Sequence, residues 1–363
     1  MLHTLCSKLH TEVSSNMPFK VSDSFIAQNQ VVAVLSGGTE AQFVDLIKEK
    51  KIDLKRPVYL MVSGFSNSLP AALEILSFIR QRNGIAKIMQ HPKDTVFPDV
   101  SETASLTRAP LDKVLKNEKK LRLGVVGKSQ DWLIASQVDY KEVMNKMNCE
   151  LIDIPFEEVS SLGVVDPGMK GAEAIYERLK EIIAKHKLDG ITVRCFDLFA
   201  TVKNTGCIAV SKLNDEGIPA GCESDIPVLL TMMACKKLTG EPGFMGSPAR
   251  IQTDGQILLA KCTIALSMTK KHEFTTHFES GIGVAIHGEV EPGEYTLVKL
   301  SHDMKQLLAV NVKVTRCQFE QNLCRTQIWI QSTPIVSQYL LTSPLSDHHV
   351  LIKGHHAAKF WRE

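Results

Sequence analysis

Val31-Val32-Ala33-Val34-Leu35, followed at once by Ser36-Gly37-Gly38-Thr39-Glu40, decides the fold class of this chain. The first five residues are apolar without interruption, so a strand here must be buried on both faces. The glycine-containing turn then opens a helix that runs through Phe43 to residue 51. The same grammar repeats downstream. Residues 57–62 read as a second strand, 63–68 as a loop, 69–83 as a helix and 85–89 as a third strand. Strands that alternate with helices and lack polar alternation form a parallel sheet covered on both sides.

After a polar stretch over 92–120 the pattern restarts, with strands at 121–127, 150–154 and 190–194 and helices at 140–147 and 172–186. The chain is therefore read as two consecutive α/β sandwiches with a boundary near residue 118. From about Gln256 the grammar changes. Residues 256–263, 283–287, 295–300, 306–314, 326–330 and 349–353 read as short strands, separated by turns such as Glu291-Pro292-Gly293. Strands without intervening helices predict a separate β domain, sandwich or barrel. The expected segments are an irregular start at 1–30, α/β domains at 31–117 and 118–254, and a β domain at 255–363.

Composition narrows the function classes. A chain of 363 residues exceeds what one core usually supports, and 44% hydrophobic with 23% charged residues is ordinary for a globular protein. A net charge of +2 without a Lys/Arg-dense stripe argues against nucleic acid as a partner. The nine cysteines are scattered, odd in number and free of CxxC spacing, which favours a reducing compartment. Residues 1–30 lack the basic start and apolar core of a signal peptide, and no apolar run approaches the ~20 residues that span a bilayer. The expectation is a cytoplasmic protein with no membrane partner.

The strongest candidate site is Gly221-Cys222-Glu223-Ser224-Asp225, which precedes the apolar helix 228–238. Ser224 can cap that helix, and Asp225 in its first turn suits the dipole. Glu223 serves no capping need and is free to project into a crevice. Arg194 and Asp197 follow a buried strand, where they either face a crevice or tie strand to loop as an ion pair. His277 and Glu279 lie two apart, on one face if extended, or belong to a hydrogen-bonded turn. Asn322-Leu323-Cys324-Arg325-Thr326-Gln327 is a polar cluster before a strand. Of His348 and His349, at most one can enter a given site, because adjacent strand residues point to opposite faces. The turns holding Gly37-Gly38 and Gly64 match no nucleotide-binding pattern, and a role in lining a crevice stays open.

Together these residues resemble the fucose/arabinose isomerase fold group, in particular its short L-fucose isomerase-like members. The likeness rests on residues 220–225, on Gly243-Phe244-Met245-Gly246-Ser247-Pro248-Ala249-Arg250, and on Ala260-Lys261-Cys262-Thr263-Ile264. It continues through residues 276–281 and 322–327 and Asp347-His348-His349. The resemblance implies two Rossmann-like α/β domains followed by a C-terminal β-barrel-like domain, and a homo-oligomer, trimer or hexamer. It further implies aldose–ketose isomerisation of a sugar through an enediol at a Mn²⁺ site. On that pattern Glu223 is a metal ligand or base, and His349, or failing it His348, is the histidine ligand. Glu279 or Asp225 assists proton transfer, and Arg194, Asp197, Lys261, His277 and Arg325 contact substrate.

Two departures from the family stand out. Residues 245–250 offer no second metal carboxylate, and Lys261 takes the place of a histidine. An ammonium has no lone pair for a metal, but it suits an anionic sugar substituent. The rival reading is a carbohydrate-binding or regulatory protein, or a lyase or transferase, on the same fold.

Overall fold

A computed structural model describes residues 2–6, 19–90 and 116–361. Most of the polar stretch expected between the two α/β segments lies outside the described residues.

The first sheet is parallel and four-stranded, with β1 (Leu2–Leu5), β2 (Gln30–Val34), β3 (Val58–Val62) and β4 (Ala86–Met89) side by side in that order. Every residue of β2 and β3 is buried, as their uninterrupted apolar runs require. Residues 1–30 were expected to be irregular. Instead, Leu2–Leu5 pairs in parallel with residues 31–34, and Asp23–Gln28 is a helix whose N-cap Ser22 accepts from the Phe25 N–H. A four-residue strand carries too little pattern to be recognised alone, and it is stabilised by its pairing with β2. The helix Ser68–Gln81 is buried along residues 68–79, because it lies between this sheet and strand Phe244–Ile251 of the barrel.

The second sheet is also parallel. It contains β5 (Leu121–Val126), β6 (Cys149–Ile154), β7 (Gly190–Val193) and β8 (Ala220–Cys222), in the spatial order β6-β5-β7-β8. The order reverses at β5. The carboxyl ends of β5, β7 and β8 therefore open onto a crevice of the kind that holds ligands in such sheets.

The remaining strands close a six-stranded antiparallel barrel. Its members are β9 (Phe244–Ile251), β10 (Gln256–Lys261), β13 (Gly293–Leu300), β14 (Leu307–Cys317), β15 (Thr326–Gln331) and β16 (His349–Lys353). A two-stranded ribbon, β11 (Lys271–Thr275) with β12 (Ala285–Glu289), stands beside it. Two expectations are corrected here. The barrel begins at Phe244, ahead of residue 255, and a helix, Pro334–Thr342, interrupts the β region. Gly246 and Pro248 make β9 read as a loop. The missing Pro248 N–H is accommodated by a register shift opposite it, between Leu258 and Leu259. Among the described residues no helix is long and apolar enough to cross a membrane.

Candidate active site

The chain leaves β8 through an unusual turn. Glu223 (φ 65°) and Ser224 (φ 49°) are consecutive non-glycine residues in the left-handed region. Such conformations cost on the order of 1–3 kcal/mol each and persist only where the surroundings impose them. Here the Gln130 N–H donates to the Glu223 carbonyl and the Ser224 N–H to the Val193 carbonyl. Ser224 Oγ donates to the Val126 carbonyl at 2.8 Å, and Ser129 Oγ donates to the Ser224 carbonyl at 2.8 Å. The turn is thus tied to the ends of β5 and β7, and it turns the Glu223 side chain into a cavity. Ser224, expected as the helix cap, is spent on this tie. Asp225 is the N-cap of Ile226–Thr239, its Oδ1 accepting from the Val228 N–H at 2.9 Å.

The cavity has a volume of about 130 Å³. That is room for on the order of ten waters, comparable to the heavy atoms of one hexose. All three sheet systems contribute to its wall. Gly37, Gly38, Glu40 and Asn67 come from the first sheet and its helices. Trp132 and Glu223 follow strands of the second sheet, while Ser247, Lys261, Asp347 and His348 come from the barrel.

At its centre Lys261 Nζ hydrogen-bonds to Glu223 Oε1 and lies 2.7 Å from His348 Nε2. Trp132 Nε1–H donates to the other Glu223 oxygen at 2.8 Å. Burial alone would raise the Glu223 carboxyl, but Lys261 and His348 hold it well below the usual carboxylate range. Asp225 Oδ2 lies 2.8 Å from His348 Nδ1. Although burial raises the Asp225 carboxyl, the nearby Lys299 and His348 more than offset this and keep it ionised. A carboxylate only accepts, so Nδ1 carries the proton and Nε2 faces the lysine. Burial opposes charge on Lys261 and His348; Cys222 and Glu223 overcome it for Lys261, and Asp347, Glu223 and Asp225 for His348. At 2.7 Å two N–H groups cannot point at each other, so the pair shares one proton between Nζ and Nε2.

Two further carboxyls line the cavity with an oxygen that has no hydrogen-bond partner among the described residues, Asp347 Oδ1 and Glu40 Oε2. Ser247 Oγ–H donates to Asp347 Oδ2 at 3.0 Å. Burial raises the Asp347 carboxyl above its ordinary value, against the opposing pull of His348 and Lys261. Burial, with Glu74, Asp347 and Glu223 nearby, raises the Glu40 carboxyl well above the usual range. Neither residue was singled out from the sequence. Glu40 reads there as an ordinary first-turn carboxylate and Asp347 as a loop residue beside two histidines.

The residues singled out from the sequence separate as follows. Glu223, Lys261, His277, Glu279 and His348 line the cavity, with Asn67 Nδ2–H donating to Glu279 Oε1. Asp225 stands behind His348 and orients it. His349 faces away from the cavity. Its Nδ1 donates to the Asp347 carbonyl at 2.7 Å, its Nε2 meets the Tyr339 hydroxyl at 3.2 Å, and burial pushes its pKa down to about 3. The histidine facing the site is His348. Arg194 pairs with Asp197 at 2.7 Å and donates to the Ser129 carbonyl at 2.9 Å, which is the strand-to-loop tie. Arg325 donates to the Thr276 carbonyl at 2.8 Å. None of these last three lines the cavity.

The donors present do not fit the Mn²⁺ that the resemblance implied. Glu223 Oε1 and His348 Nε2 are both taken by Lys261, and Ser247 offers a hydroxyl where a carboxylate would be wanted. Among the described residues no group of three or more His, Cys, Asp or Glu side chains is placed to hold a metal ion.

No family model matches the chain. Distant curated relatives do. The chain is 22% identical over 299 residues to the sulfoquinovose isomerase of Alkalicoccus urumqiensis, covering 72% of this chain and 68% of that protein. It is 23% identical over 302 residues to the sulfoquinovose isomerase of Priestia megaterium, covering 73% and 68%. Its relatives are sugar isomerases. At these identities the kinship supports the coarse activity and leaves the individual site residues to the geometry.

Proposed function

We propose that this protein is an aldose–ketose isomerase acting on a sugar that carries an anionic substituent, with sulfoquinovose, the sugar named for its relatives, the first to test. The observation that carries the reading is the cavity in which one buried cation, Lys261, stands among carboxyls of opposite character. Glu223 has both oxygens occupied and is held ionised, so it is a weak base and serves to fix the ammonium. Asp347 has an oxygen without a partner among the described residues and a raised pKa, which suits a group that takes up and returns a proton.

In this mechanism the Lys261 ammonium donates to the carbonyl oxygen of the open-chain aldose. Asp347 removes the proton from C2, and the electron pair forms the C1–C2 double bond while the carbonyl π pair moves to O1. Asp347 returns its proton to C1, and the O2 hydroxyl proton passes to O1. The ketose has the composition of the aldose and no oxidant is needed. Glu40 hydrogen-bonds a substrate hydroxyl across the cavity.

Incubation with free and sulfonated aldohexoses in deuterated water, followed by NMR, tests the reading. Ketose formation with deuterium at C1 or C2 is expected, falling ~10²–10⁴-fold in Asp347→Asn. Sugar binding without ketose or exchange would favour the carbohydrate-binding alternative and sink the isomerase.

A further inference from the structure

Glu223 and His348 converge on a buried cation, Lys261, with Asp347 beside them. His348 Nε2 lies 3.5 Å from Glu223 Oε1 and 3.5 Å from Asp347 Oδ2. Two donors bound to one divalent ion at ~2.0–2.2 Å stand roughly 3–3.6 Å apart. Each of these two pairs alone has the spacing of neighbouring ligands, although among the described residues the three together are not placed to hold an ion. Lys261 Nζ reaches two of them, hydrogen-bonded to Glu223 and 2.7 Å from His348. The lysine is delivered by the last residue of β10, whose backbone is held in register against Thr326 of β15.

We propose that Lys261 replaces the divalent cation of this site, so that its ammonium alone holds the substrate carbonyl oxygen and the chain isomerises its sugar without a metal. The proposal rests on the isomerase reading above. A purely structural ion pair explains less. Buried pairs seldom stabilise more than apolar residues of equal size. Here the pair also lines a cavity in which two further carboxyls, Asp347 and Glu40, each keep an unpartnered oxygen among the described residues. An ammonium has three N–H donors. Glu223 and His348 take two, which leaves one for a sugar oxygen. A divalent ion can chelate both O1 and O2, whereas Lys261 binds one, so O2 falls to Glu40 or to Asp347.

The test titrates Mn²⁺ alone into EDTA-dialysed, untagged native protein and follows the free-ion signal by electron paramagnetic resonance. The same titration is run on Lys261→Ala. Native protein is expected to bind no stoichiometric Mn²⁺ and to keep its deuterium exchange in the presence of EDTA. Lys261→Ala frees Glu223 Oε1 and His348 Nε2 beside Asp347 Oδ1, so it is expected to bind one Mn²⁺ per chain. It should also lose exchange on the order of 10²-fold or more when metal is withheld. One tightly bound Mn²⁺ in the native protein, loss of exchange on EDTA dialysis, or no Mn²⁺ binding by folded Lys261→Ala would each overturn the proposal. Should the variant not fold, the native titration decides by itself. Metal binding is read without turnover, so failure of the isomerase reading shows separately, as the absence of exchange with every sugar.

Discussion

Glu74 offers a quantitative check on the architecture around the site. It is 1% exposed, on the helix Ser68–Gln81, and joins three parts of the fold. Its Oε1 accepts from the Ala135 N–H at 2.7 Å and from Ser136 Oγ–H at 3.0 Å, and its Oε2 from the Asp347 N–H at 3.3 Å. Burial, helped by Asp225 and Asp347, raises its pKa from 4.5 to about 7. The folded value lies above the unfolded one, so the folded state binds this proton more tightly. The resulting stability is fully present below 4.5 and is lost as pH rises through about 7. Over that span, at ~1.4 kcal/mol per pH unit, the loss is about 3 kcal/mol.

Glu74→Gln removes the titration. It keeps the acceptor for Ala135 and Ser136 and gives up the bond from Asp347, at about 1 kcal/mol. The variant is therefore expected to be about 1 kcal/mol less stable than native protein near pH 4 and about 2 kcal/mol more stable at pH 8. Urea unfolding followed by tryptophan fluorescence across this range measures the difference, in which other titrating groups cancel. A stability difference that does not change sign between acid and alkaline pH would refute the assignment of a buried, proton-retaining Glu74.

Two more substitutions address the site itself. Asp225→Asn keeps the oxygen that caps the helix and presents an amide N–H to His348 Nδ1, driving the imidazole proton to Nε2 against Lys261. The expected cost is about 2 kcal/mol, with a change of His348 tautomer visible by ¹⁵N NMR; an unaltered tautomer would contradict the geometry. His349→Phe is expected to lower stability by ~1–3 kcal/mol through the lost bonds to Tyr339 and the Asp347 carbonyl. It should leave isomerisation by the folded protein intact, and a selective loss of turnover would put His349 back in the site.

The sequence by itself determined that parallel α/β sheets precede a β region. Continuous apolar runs such as residues 31–35 and 58–62 are strands buried on both faces wherever they occur, and turn residues between short strands mark the barrel without knowledge of pairing. It also isolated Glu223, since a carboxylate just outside a helix that another residue caps has no local purpose, and it showed Lys261 to be foreign to a metal site. Which residue did the capping was already a matter of three dimensions. Ser224 is drawn off to the Val126 carbonyl and Asp225 takes its place.

Only the tertiary structure decided the rest. Alternation along β16 says that one of His348 and His349 enters a site, but which one depends on how that strand pairs with β9, where His349 sits opposite Gly246. Asp347 and Glu40 are distant in sequence and unremarkable there, and they become chemically distinctive only when packing strips them of water and leaves an oxygen of each unpaired. Strand β9 was hidden by Gly246 and Pro248, which signal a loop until a register shift at Ala249 absorbs them. Lys261 follows the same logic. Its charge is written in the chain, but its position between Glu223 and His348 exists only because the barrel strand β10 ends against the turn that leaves β8.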